Sequence, residues 1–179
     1  MRFLGGKYKR RQLYYPKNLE GLRPTKNMAK EAMMSIISEF KGKKVLDLCC
    51  GTGALGLECI SRGSDHVTCI DQDIRFALQN KTILDIEDQN KVDIIQRPLY
   101  RFLKQNLKSY DIIFLDPPWE LHNLYELTLN HINTSSILTD HGILICESKK
   151  NMQLPNIGSL NLIKTYYYGH SKVSLIGKS

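Results

Sequence analysis

Two kinds of apolar pattern alternate along the chain. Runs of five or six mostly apolar residues are separated by longer stretches in which apolar positions recur every three or four. Residues 27–40 place Met28, Ala32, Met33, Ile36, Ile37 and Phe40 at helical spacing. Short strand-like runs then fall at 44–48, 66–71, 92–96, 110–115 and 142–147. Helical patterns occupy 54–62, 73–86, 98–107 and 121–132 between them. Two further strands, 160–168 and 172–177, turn at Gly169–His170. Strands alternating with helices indicate an α/β fold, a parallel sheet covered on both faces. The final hairpin adds an antiparallel end, so the expected sheet is seven-stranded and mostly parallel.

Composition narrows the class without changing that picture. A chain of 179 residues, 42% hydrophobic and 24% charged, fits one globular domain. No apolar run approaches the roughly 18 residues of a membrane helix. The opening MRFLGGKYKRRQ lacks the apolar stretch of a secretory signal, so a cytoplasmic protein is expected. Cys49, Cys50, Cys59, Cys69 and Cys146 form no CxxC pair, which argues against a disulfide framework and against zinc. The scattered histidines show no metal-ligand spacing, and no metal is expected.

Charge is unevenly placed. Residues 1–30 hold nine basic side chains and one acid, Glu20, while residues 31–179 carry a net −1. A division near residue 25 follows: a basic arm, 1–25, ahead of the domain, 26–179. Such asymmetry suits a polyanionic partner. Lys7, Lys9, Arg10, Arg11 and Arg23 are its candidate nucleic-acid-binding residues, and Tyr8, Tyr14 and Tyr15 interleave with such charges as stacking surfaces. The plainer reading is a solubilising tail.

In a parallel sheet, ligands bind beyond the carboxyl ends of the strands. The first strand ends at Asp47-Leu48-Cys49-Cys50, followed by Gly51-Thr52-Gly53-Ala54-Leu55-Gly56. This satisfies G-x-G-x-x-G between strand and helix, and Asp71 follows Gly51 by 20 residues at the end of the second strand. Glycines let the backbone approach a nucleoside cofactor, and the acid accepts ribose hydroxyls. Asp47 would repel a pyrophosphate but suits an ammonium group, which favours S-adenosylmethionine over a nicotinamide dinucleotide. Cofactor contacts are therefore expected from Asp47, Gly51, Gly53 and Asp71.

After the fourth strand comes Asp116-Pro117-Pro118-Trp119. This tetrapeptide resembles that of methyltransferases acting on exocyclic base amines, which are poor nucleophiles because the lone pair is delocalised into the ring. The Asp116 carboxylate and the Pro117 carbonyl can hold the hydrogens of such an amine and stabilise charge developing on nitrogen. The prolines fix φ, and Trp119 offers a face for an extruded base. These four are the candidate catalytic residues.

The glycine motif with Asp47 resembles that of class I methyltransferases, and the Asp-Pro-Pro-aromatic segment resembles that of enzymes acting on base amino groups. Gly5-Gly6-Lys7, Arg11, Arg23-Pro24-Thr25 and Glu31, then Asp47 to Glu58 and Ser61-Arg62-Gly63, resemble the bacterial 16S ribosomal RNA guanine(966)-N2 methyltransferase family over nearly the whole chain. That resemblance implies a Rossmann-like fold, a short N-terminal β-hairpin, and a monomeric cytoplasmic enzyme. It implies methyl transfer from S-adenosylmethionine, with S-adenosylhomocysteine as product, to guanine N2 in an assembling 30S subunit.

The chain departs from the family at three places. Cys49-Cys50 replace Phe-Ala. Asp71 replaces Glu. In Gln96-Arg97-Pro98-Leu99, Pro98 removes the usual acceptor for adenine, leaving the Leu99 N–H and Gln96, so the resemblance implies further cofactor contacts from Leu99 and from Gln72 beside Asp71. An amino-methyltransferase for another base, a non-catalytic RNA-binding assembly factor and a nucleotide-dependent oxidoreductase are the alternatives. Glu58 and Arg62, four apart, read as a surface ion pair. Glu147 reads as structural, and Tyr166, Tyr167 and Tyr168 as packing residues.

Overall fold

The protein is described by a computed structural model over residues 1–16 and 24–178, with side chains of the second stretch described from residue 28. Arg23 lies outside the described residues. The elements in chain order are α1 (Pro24–Ile36), β1 (Lys44–Leu48), α2 (Ala54–Ser61), β2 (His66–Asp71), α3 (Arg75–Lys81), α4 (Ile86–Gln89) and β3 (Val92–Gln96). They continue as α5 (Leu99–Gln105), β4 (Tyr110–Leu115), α6 (His122–Thr134), β5 (Leu138–Lys149), β6 (Leu160–Tyr168) and β7 (Ser171–Lys178). One seven-stranded sheet runs in the order β3-β2-β1-β4-β5-β7-β6. The first five of these are mutually parallel, and β7 pairs antiparallel with both β5 and β6.

The strands read as continuous apolar runs because both faces are covered. Val45, Ile112 and Phe114 point into one buried cluster; Leu46, Leu48, Ile113 and Leu115 point into the other. The first cluster is covered by α1, α2 and the N-terminal segment, and the second by α5 and α6. Residues 1–16 fold back through an antiparallel Arg2–Gln12 bridge and bury Phe3, Tyr8 and Leu13 in the first cluster.

Two helices differ from their expected spans. The first starts at Pro24, whose fixed φ suits the opening turn, and stops at Ile36. Ile37 and Phe40 stay buried beyond its end. The pattern over 73–86 is not one helix. α3 ends at Lys81, and Asp85 starts α4 by accepting a hydrogen bond from the Asp88 N–H at 3.1 Å. Among the described residues no helix is long and apolar enough to cross a membrane.

Candidate active site

The strand order reverses between β1 and β4, the place where such sheets bind ligands. In register, Leu48 lies beside Leu115, so both chains leave the sheet together. The first exit is the glycine loop. Cys49, Gly51 and Gly53 have φ of 61°, 54° and 72°. Glycine adopts this conformation freely; at Cys49 it costs about 1–3 kcal/mol, a strain typical of ligand loops. A Cβ on Gly51 would meet only open space, whereas one on Gly56 would lie 2.7 Å from Cys69 Sγ. Gly51 thus leaves room beside the loop, and Gly56 lets α2 settle on β2.

Asp47 sits beneath this loop, 1% exposed. One carboxylate oxygen, Oδ2, accepts from the Gly56 N–H at 2.9 Å. The other, Oδ1, is buried and has no hydrogen-bond partner. Burial pushes its pKa up to about 7. A cationic group arriving at the loop would restore the carboxylate, so the site fits the ammonium of S-adenosylmethionine better than a pyrophosphate. The expected result is cofactor affinity that rises as pH increases through about 7 and then levels off, with one proton released. Calorimetry in two buffers of different ionisation heat measures that proton, and pH-independent affinity would remove Asp47 from this role. In the ligand-free protein the sign is opposite. The folded-state pKa lies above the ordinary carboxyl value of about 4 that the unfolded chain keeps, so this group's contribution to stability falls as pH rises from about 4 to about 7.

Asp71, at the end of β2, is half-buried and already bonded to the loop. Its Oδ2 accepts from the Gly51 N–H at 2.8 Å, and its Oδ1 from the Asp73 N–H at 3.1 Å. It therefore shapes the glycine loop directly. Gln96 Nε2 donates to the Gln72 carbonyl at 2.9 Å, closing the gap between the ends of β2 and β3. Leu99 opens α5, so its N–H is not consumed by an intrahelical bond.

The second exit is Asp116-Pro117-Pro118-Trp119, after β4. Trp119 is fixed by its indole N–H, which donates to Glu147 Oε2 at 2.8 Å. Glu147, near the end of β5, is 5% exposed, and its carbonyl accepts from the Tyr125 hydroxyl at 3.0 Å. Glu147 is thus a positioning residue for Trp119, beyond its plain structural reading. The N-terminal segment reaches the same place. The Tyr15 phenol is pushed up to about 12, first by burial and then by the charge of Asp116.

A side chain missed in the sequence holds that segment there. Asn80 is fully buried; it accepts from the Tyr14 N–H at 2.7 Å and donates to the carbonyls of Tyr14 and Thr52 at 3.0 and 2.9 Å. It ties the glycine loop to the segment entering the site. Its only sequence signal is the spacing from Ala77, which puts both on the buried face of α3.

The basic residues of the arm divide into two groups. Lys7 pairs with Asp85 and Asp88 at 2.5 and 2.9 Å, and Arg11 donates to the Ile83 carbonyl at 3.1 Å. Lys9 and Arg10 are exposed. Tyr8 is not available for stacking. It is 1% exposed and donates its hydroxyl proton to Asp88 at 2.6 Å, because the hairpin docks against α2 and α4. The pair of Glu58 and Arg62 exists, at 2.9 Å, but Glu58 is fully buried, not at the surface. It receives the N–H groups of Leu4 and Gly5 and the Lys30 ammonium.

Known proteins resemble this chain throughout. The family model described as conserved hypothetical protein 95 matches residues 1–177. Ribosomal RNA small subunit methyltransferase D of Buchnera aphidicola (subspecies Baizongia pistaciae) is 33% identical over 154 residues, covering 85% of this chain and 78% of that protein. YlbH of Bacillus subtilis, named as a candidate rRNA methyltransferase, is 31% identical and covers 99% of each chain. A solved Escherichia coli structure described as a candidate methyltransferase, yhhF, superposes with a TM-score of 0.86 at 27% identity, over 100% of this chain and 98% of that one.

Proposed function

Because the chain belongs to the conserved hypothetical protein 95 family, we propose that it is an S-adenosylmethionine-dependent ribosomal RNA methyltransferase acting on the exocyclic N2 of a guanine in small-subunit, 16S, RNA. One observation carries the reading. Asp116-Pro117-Pro118-Trp119 leaves β4 directly beside the glycine loop that leaves β1, with Trp119 locked by Glu147. An amine acceptor and a methyl-donor loop therefore share one opening. The names of the relatives, ribosomal RNA methyltransferases, support the substrate class.

Bound S-adenosylmethionine would supply an electrophilic methyl carbon. The chain's residues do the rest. Trp119 stacks the extruded guanine, and Asp116 accepts one amine N–H, drawing the nitrogen lone pair toward the methyl. The amine nitrogen would take that methyl group, with S-adenosylhomocysteine as the leaving product. The extra amine proton departs through Asp116 to solvent. Asp47, Gly51, Gly53, Asp71, Gln72 and Leu99 would hold the cofactor. The arm of residues 1–25 holds RNA, and a monomer working in the cytoplasm on an assembling 30S subunit completes the reading.

Labelled S-adenosylmethionine incubated with 16S RNA and with 30S particles tests it. Mass spectrometry should find one added methyl on a guanine N2. A methyl on an adenine N6 would replace the base while keeping the chemistry. Absence of transfer to either substrate, with cofactor binding intact, would favour a non-catalytic RNA-binding factor.

A further inference from the structure

The balance of −1 over residues 31–179 conceals a second basic region. Residues 148–179 contain five lysines, Lys149, Lys150, Lys164, Lys172 and Lys178, and no acid, so residues 31–147 carry −6. Basic segments therefore sit at both ends of an acidic body. The fold brings part of the second segment to the active-site edge. β5 passes Glu147, the anchor of Trp119, and ends at Lys149, two residues or about 7 Å further along.

The antiparallel partner β7 starts there too, with Lys149 opposite Ser171 and Ser148 opposite Lys172. The Lys150 N–H donates to the His170 carbonyl at 2.8 Å, which pins the end of β5 to the β6–β7 turn. Lys172 Nζ is bonded to the Met152 carbonyl, tying down the loop that follows. Lys149, Lys150 and His170 are all exposed on this braced corner, and Tyr167, 61% exposed, stands opposite Lys172.

We propose that Lys149 and Lys150, with the Gly169–His170 turn, form a phosphate-binding surface for the RNA strand that flanks the target base. The proposal rests on the RNA methyltransferase reading above and gives its site a second anchor. The N-terminal hairpin cannot serve as that near anchor. Its tip at Lys7 is bonded to Ser61, the last residue of α2, a helix length of about 12 Å from the glycine loop where α2 starts. Lys149 and Lys150 lie instead on the strand that holds Trp119 in place. Their backbone is fixed, so little ordering is lost when a phosphate arrives. Ammonium groups on flexible stems suit phosphates as point charges and carry no base preference, so base choice stays with Asp116 to Trp119.

RNA binding by the full chain, titrated from low to moderate salt, tests this. Parent is compared with Lys149→Ala/Lys150→Ala and with Lys9→Ala/Arg10→Ala, using a short single-stranded 16S fragment as probe. Each lost phosphate contact flattens the slope of log affinity against log salt by about 0.7, so the Lys149/Lys150 variant should lose about 1.4 and bind about tenfold or more weakly at low salt. Its melting temperature and its S-adenosylmethionine affinity should match the parent, and the Gln/Gln pair at the same positions should repeat the loss. Unchanged slope and affinity in that variant, with the parent binding RNA, would overturn the proposal alone. A parent that binds no RNA at any salt would overturn the methyltransferase reading and this surface together.

Discussion

Asp116→Ala should slow methyl transfer by about 100-fold or more while cofactor affinity stays close to the parent value. Asp116 lies at the exit of β4, and the residues proposed to hold the cofactor come from β1, β2 and the start of α5. On the proposed function its carboxylate meets the incoming amine, whose charge develops only in the transition state. An interaction of that kind lowers the rate when removed and leaves ground-state binding nearly untouched. Single-turnover rates and calorimetric affinity on the same variant measure both quantities. Tyr15 supplies an internal check. Part of its raised pKa comes from the Asp116 charge, so its phenol should titrate lower in the variant, read by ultraviolet absorbance. A rate within a few-fold of the parent would contradict the assigned role. A large fall in cofactor affinity would move Asp116 from the amine to the cofactor side.

What could be read from the sequence was what repeats locally. β2, β3 and β4 fall at their expected bounds because a doubly buried strand is an apolar run bounded by polar turns. That the glycine loop and Asp116 leave neighbouring strand ends was legible because each directly follows such an apolar run. The break between α3 and α4 was not, since Asp85 caps a new helix inside a span whose apolar spacing continues. Nor was the clamp at Asn80, whose partners lie 66 and 28 positions away at Tyr14 and Thr52. Tyr8 shows the limit of reading composition: interleaved with cations it looks like a stacking surface, yet its partner Asp88 lies 80 residues on. Glu58, read as half of a surface ion pair, carried a usable signal of its burial. It is a lone acid in α2, a helix buried along its whole length, and a buried acid must have partners.

Those partners make Glu58→Gln the substitution with the largest expected effect on stability. Glu58 Oε2 accepts from the Leu4 N–H at 2.8 Å and pairs with Lys30 Nζ at 3.2 Å. Oε1 accepts from the Gly5 N–H at 2.8 Å and from Arg62 Nε at 2.9 Å. A glutamine keeps the volume but replaces one acceptor oxygen with a donor, so two of the four donors lose their acceptor. Lys30, only 4% exposed, also loses its counter-charge. Burial already lowers the Lys30 pKa and the Glu58 charge opposes that fall, so the variant should drive Lys30 toward its neutral form. Breaking a buried pair in this way costs about 3–5 kcal/mol, a large share of the roughly 5–15 kcal/mol that holds a domain folded. For a chain of this size, about 2–4 °C per kcal/mol places the melting temperature some 6–20 °C lower. The N-terminal hairpin should loosen first, because Leu4 and Gly5 are docked through this carboxylate. Chemical denaturation of Glu58→Gln, Lys30→Met and the double variant separates the causes. If the cost is a stranded charge, the double variant recovers part of the loss of Glu58→Gln. If the two losses simply add, the pair is not coupled and the hairpin hydrogen bonds alone account for the effect.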